Sequence, residues 1–173
     1  YLPSPVVADG DTQVVSQFGV SFEEVVIADS SDALSDPRDL EFHPGRANEL
    51  WIANRATDSM TIVHNTGLVN QTSENRHDAY GNHFLEEVSA ISFGTYHPEF
   101  DWQWGSAQES ANTYCGQGSP NNFMGPTLWP SSLSHYAVEH QSDQYLGSHI
   151  DMNHESPYGM GIAHDSGNSY WYN

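Results

Sequence analysis

Apolar and polar residues alternate in short bursts along this chain, and turn-forming residues separate the bursts. Asp39-Leu40-Glu41-Phe42 alternates as a half-buried strand does; Glu49 to Ala53 supplies a second strand and Met60-Thr61-Ile62-Val63 a third. Upstream, Gln17 to Phe22 and Glu24 to Ile27 are rich in Val and Phe and also predict strands. Residues 1–12 are expected to be an extended lead-in, Ser30 to Pro37 a turn-rich connector and Asn65 to Asn82 a polar loop. Leu85-Glu86-Glu87-Val88 has the pattern of one helical turn, but Ile91 and Phe93 favour a strand. From Gln108 to Pro126 no hydrophobic period survives, which predicts a long loop; Phe123, Met124, Leu128 and Trp129 predict that it packs against something. Leu133 to His140 suits a short helix or a strand, and Gly147 to Asp151 an outer strand.

A short apolar pair stands nine residues ahead of a tryptophan three times: Leu40-x-Phe42 before Trp51, Ile91-x-Phe93 before Trp102 and Met160-x-Ile162 before Trp171. The first and third copies align without gaps at a shift of 120 residues, which lays Pro37 on Pro157, Asn48 on Asn168 and Trp51 on Trp171. Each predicts a strand, a tight polar turn (His43 to Asn48, or His164 to Asn168) and a second strand carrying the tryptophan. Irregular repeats of antiparallel strands mark a β-propeller or a related all-β array. One propeller-type domain over 1–173 is expected, with a lead-in and partial blade over 1–35, a blade over 36–82, a blade with a long insertion over 83–155 and the start of another over 156–173. A four-stranded blade takes about 40–50 residues, so a ring of six needs more than about 250. The expectation is therefore an incomplete set of blades from a longer chain, with a sheet edge left open.

Charge narrows the partners. Twenty-three Asp and Glu face four Arg and no Lys, for a formal net charge of −19. Phosphate recognition needs clustered cations, so neither nucleic acid nor an anionic membrane surface is expected. Such an acidic protein suits a salty or calcium-rich medium that screens its self-repulsion. Five Trp, nine Tyr and seven Phe argue for a packed core rather than disorder. No stretch approaches the apolar run of about 18 residues that a membrane-inserted helix requires. Cys115 is the single cysteine, which rules out an internal disulfide and leaves the redox compartment open. Asn70-Gln71-Thr72 is a glycosylation sequon, in keeping with an extracellular or otherwise extracytoplasmic location.

Ten histidines raise the question of metals. The densest group is His149-x-Asp151-x-x-His154-Glu155, in which His149, Asp151 and His154 are the candidate ligands. On a strand over 149–151 the first two would share a face, and His154 would return from the turn before Pro157. Imidazole with carboxylate suits zinc, manganese, iron or copper; hydrogen bonding across a blade corner is the alternative use. His43 and His164 occupy nearly matching places in two copies, with His83 and His97 in the middle one, so a set converging on an axis competes with turn-stabilising roles. Asp29, Asp32, Asp36 and Asp39, and Asp9 with Asp11, are calcium candidates against a background of solvated acidic turns. The cofactor is open, a divalent zinc or calcium ion being the candidate. No Gly-x-Ser-x-Gly elbow, phosphate-binding glycine loop or His-Glu-x-x-His is present, and nothing local lowers the Cys115 thiol pKa, so no catalytic residue is assigned.

Pro37 to Pro44, and more closely Pro157 to Trp171, resemble NHL-type propeller repeats, in which a proline and a small residue precede an inner strand, an Asp/Gly turn and an aromatic-rich strand. The middle copy lacks the proline and the turn, and the 108–126 insertion is not typical of the family. The resemblance implies a binding platform; a minority of similar proteins are enzymes, among them a peptide-amidating lyase that holds zinc through histidines of several blades. The favoured reading is an extracytoplasmic propeller-type binding or structural module for protein or glycan partners, contacted through Trp102, Trp104, Phe123 and Trp129. A metal-dependent lyase or hydrolase at His149, Asp151 and His154, and an accessory subunit of a large assembly, are the alternatives.

Overall fold

The computed structural model describes residues 14–17, 20–23, 25–79, 84–110, 125–135, 144–153 and 159–173. The chain is all-β and antiparallel: strands and short 3-10 turns are its regular elements among the described residues. β1 (Val14–Gln17) and β2 (Val20–Glu23) form a hairpin. One meander follows in sheet order β3 (Pro37–Phe42), β4 (Leu50–Asn54), β5 (Ser59–His64) and β6 (Thr72–His77). A second contains β7 (Val88–His97), β8 (Asp101–Gln108), β9 (Thr127–Pro130) and the two-residue β10 (Asp151–Met152). β11 (Ala163–Asp165) and β12 (Tyr170–Tyr172) make a closing hairpin. Each of these units therefore pairs strands that are neighbours in sequence, the low-entropy way to build a sheet.

The two four-stranded sheets share one core. Trp51, Ala53, Met60 and Ile62 of the first pack against Val88, Ile91, Phe93, Trp104 and Trp129 of the second, with Phe84, Leu85 and Leu146. Trp51 lies edge-on to Phe93 at 5.5 Å and 81°, and to Trp104 at 5.5 Å and 64°; Trp104 stacks on Trp129 at 5.4 Å and 11°. Such aromatic pairs add about 0.5–1.5 kcal/mol each beyond burial. On the far face of the first sheet Leu50, Ile52 and Val63 are covered by Ile27, Ala28 and Leu34. β4 is consequently buried along its whole length.

Positive φ at Asn48 (58°) and Asp58 (50°) falls on the residue types that best tolerate the left-handed region, at the ends of the β3–β4 and β4–β5 connections. β6 overturns the expected loop over Asn65 to Asn82. Its Thr72-Ser73-Glu74-Asn75-Arg76-His77 carries no apolar alternation, yet it pairs with β5 over its full length. An outer strand can stay polar because its ladder is made by the main chain; His64 of β5 bonds Glu74 across this pair, and Arg76 bonds it along β6. The Val14–Glu23 hairpin likewise replaces the two expected strands, Gln17 to Phe22 and Glu24 to Ile27.

The three tryptophans lie on second strands of hairpins but are not equivalent. Trp51 pairs with Glu41, Trp102 with Tyr96 beyond a register shift, and Trp171 with His164. Trp51 is fully buried, whereas Trp102 and Trp171 are half-buried. Connections of different length before the second strand move the register, so equal spacing in sequence does not give equal places in the sheet.

Candidate functional site

A cleft of about 420 Å³ opens between the second sheet and the closing hairpin. Gly105, Leu128, Met152, Ile162 and Trp171 give it apolar walls, and Asp151 and Asn153 its polar side. Two glycines seat the tryptophan: a Cβ at Gly105 would lie 2.7 Å from Ile162 Cδ1 and 2.9 Å from Trp171 Cδ1, and one at Gly94 would collide with the six-membered ring of Trp171. Trp171 Nε1 donates to the Ser92 carbonyl at 3.4 Å, tying the hairpin to β7, and the Gly159 N–H donates to the Gln108 carbonyl at 2.9 Å, holding the segment that leads into the hairpin on β8. Asp151 is exposed and accepts the Met152 N–H at 2.8 Å; none of the described arginines pairs with it.

Two of the three expected metal ligands, His149 and Asp151, are among the described residues. His149 precedes β10 and stacks its ring on Phe84 at 3.6 Å beside Trp129, whereas Asp151 faces the cleft; His154 lies outside the described residues. Among the described residues no three His, Cys, Asp or Glu side chains are grouped to hold a metal. His43 and His164 also part company. His43 is buried, accepting the Gly45 N–H on Nδ1 at 3.1 Å and meeting Ser131 Oγ through Nε2 at 3.0 Å; His164 sits 4.6 Å from the Trp171 ring. The main-chain donor at Nδ1 makes His43 the Nε2–H tautomer, and burial holds its pKa below the ordinary 6.5.

The acidic candidates for calcium have separate structural tasks. Asp29 caps the Ser30–Asp32 turn, and its bonds from the Ser31 hydroxyl and N–H lower its pKa. Asp36 pairs with Arg38 and Arg55, and Asp39 accepts the Ile91 N–H at 2.9 Å. Asp9 and Asp11 lie outside the described residues. All four arginines are engaged: Arg38 with Asp36, Arg46 with Glu49 and Asp101, Arg55 with Glu87 and Glu109, Arg76 with Glu74. The Glu109 hydrogen bond raises the Arg55 pKa further.

Of the residues expected to contact a partner, Trp104 and Trp129 are sealed in the core, Trp102 is half-buried over Gly45, and Phe123 lies outside the described residues. The cleft was missed because its walls come from segments far apart in sequence; Gly94 and Gly105, the small residues opposite Trp171, were the available signal. Asn70 is exposed in the turn before β6, a position open to a glycan. Around the end of β8 the Gln108 amide, Ser110 Oγ and Thr127 Oγ1 are buried without a hydrogen-bond partner among the described residues. No described helix is long and apolar enough to cross a membrane. Comparison with known proteins returns no matching family model, no similar curated protein and no similar solved structure.

Proposed function

We propose that the chain is a propeller-type binding module of the extracytoplasmic space, and that it holds a protein or glycan partner in the cleft beside Trp171. The observation that carries this reading is the cleft itself, an apolar cavity with a carboxylate that pairs with no described arginine and a tryptophan seated on two glycines. Two consecutive four-stranded meanders with β3 beside β7 and β7 beside β11 support a wedge-by-wedge arrangement of NHL type. Screening the chain and its Trp171→Ala variant against peptide and glycan arrays tests the reading. Ligands retained by the parent and lost by the variant support it; identical profiles, or none, refute it. One zinc, manganese or copper ion per purified chain would instead favour the metal-dependent lyase or hydrolase.

A second reading, a subunit of a larger assembly, draws on a different surface. Leu40 and Phe42 of β3 are 58% and 55% exposed, and Tyr170 and Tyr172 of β12 are 65% and 56% exposed. Apolar side chains at both ends of the sheet stack suit cover by a partner. A monodisperse monomer by size-exclusion chromatography at low concentration counts against it.

A further inference from the structure

Within the binding-module reading, on which this step rests, the chemistry of the cleft selects among partners. We infer that the cleft receives a basic side chain, a lysine or arginine of a partner polypeptide. Leu128, Ile162 and the Trp171 indole offer walls for a hydrocarbon stem, and Asp151, paired with Leu128 and so on the same face as Gly105, supplies a carboxylate for a cationic head. Lysine and arginine are the side chains that combine an apolar stem with a terminal charge.

Charge complementarity runs the same way at every scale. The nearest arginines in sequence, Arg55 and Arg76, are committed to Glu87, Glu109 and Glu74. Asp151 therefore meets no described cation of its own chain, and an incoming one forms a new charge-assisted contact. The net charge of −19 draws basic segments in and repels acidic ones before contact. A neutral sugar would use the indole wall but leave this field unused.

The test is a titration of the full chain, followed by amide and indole N–H resonances, with acetyl-Gly-Lys-Gly-amide, its arginine counterpart, the norleucine counterpart and diacetylchitobiose. Saturable shifts at Trp171 Nε1–H, Asp151 and Asn153 are expected with a basic peptide, about tenfold weaker binding with norleucine or in Asp151→Asn, as one charge-assisted contact is worth. Added salt should weaken the basic peptide and not the norleucine one. Asp151 is exposed, so the Asp151→Asn chain keeps its dispersed spectrum. Equal binding of norleucine, or an unaffected Asp151→Asn variant, overturns the inference. Shifts with the sugar alone overturn it too while leaving the binding-module reading standing; no shifts with any probe, together with blank arrays, remove both.

Discussion

The carboxylate of Glu41 accepts the main-chain N–H of Phe93 at 2.7 Å, so a side chain of one sheet closes the backbone edge of the next. Asp39 does the same for Ile91, and Ser92 Oγ accepts the His164 N–H at 3.2 Å, continuing the device from β7 to β11. An edge strand left with free amides invites pairing with another chain, and acidic side chains remove that hazard. Burial raises the Glu41 pKa above 4.5, with Phe93 acting in the opposite sense.

Glu41→Ala should leave the Phe93 amide without an acceptor and cost about 1–3 kcal/mol, while Glu41→Gln, which keeps an oxygen, should cost less. Because the folded pKa is raised, the contribution of Glu41 is fully present below pH 4.5 and is lost as pH rises through the higher folded value. Denaturant midpoints across acid pH should show the parent losing ground to Glu41→Gln as pH increases. A constant gap would refute this.

His43 titrates with the opposite consequence. Its folded pKa is depressed, so its stabilising role holds above pH 6.5 and is lost as pH falls through the lower folded value. Added charge at Nδ1 also evicts the Gly45 N–H. Melting temperatures should drop on acidification below that point, and His43→Gln should flatten the decline. Nitrogen chemical shifts should identify the Nε2–H tautomer at neutral pH; an Nδ1–H signature would contradict the geometry.

Gly94→Ala should displace the Trp171 ring and cost about 1–3 kcal/mol by overpacking, with a change in tryptophan fluorescence. In a Trp171→Ala background the same change should cost almost nothing. Additive losses in that double-mutant cycle would mean the ring does not rest on Gly94.

Trp104→Ala and Trp129→Ala should each cost about 3–5 kcal/mol, the scale for emptying a packed aromatic site. Trp171→Ala should destabilise less because its ring is half-buried. Equal losses at all three positions would place Trp171 in the core rather than at a cleft.

Much of the architecture was legible in one dimension. Alternation located β3, β4 and β5, and the recurring strand–turn–strand pattern announced an all-β chain, because the side-chain period of a strand is a local property. The candidate site was barely legible. Asp39-Leu40-Glu41-Phe42 alternates as a half-buried strand does, yet Leu40 and Phe42 are exposed while Asp39 and Glu41 turn toward β7; alternation distinguishes two faces but does not say which one a neighbouring sheet will need.

The sequence by itself determined the courses of β3, β4 and β5, the acidity and the turn chemistry, all set by residues within a few positions of one another. Tertiary structure alone decided that Trp104 and Trp129 belong to the core, that a polar segment serves as β6, and that Asp151 and Trp171 meet across one cleft. Those outcomes depend on how sheets stack and where register shifts fall, and contacts between distant segments are chosen by packing rather than by local pattern.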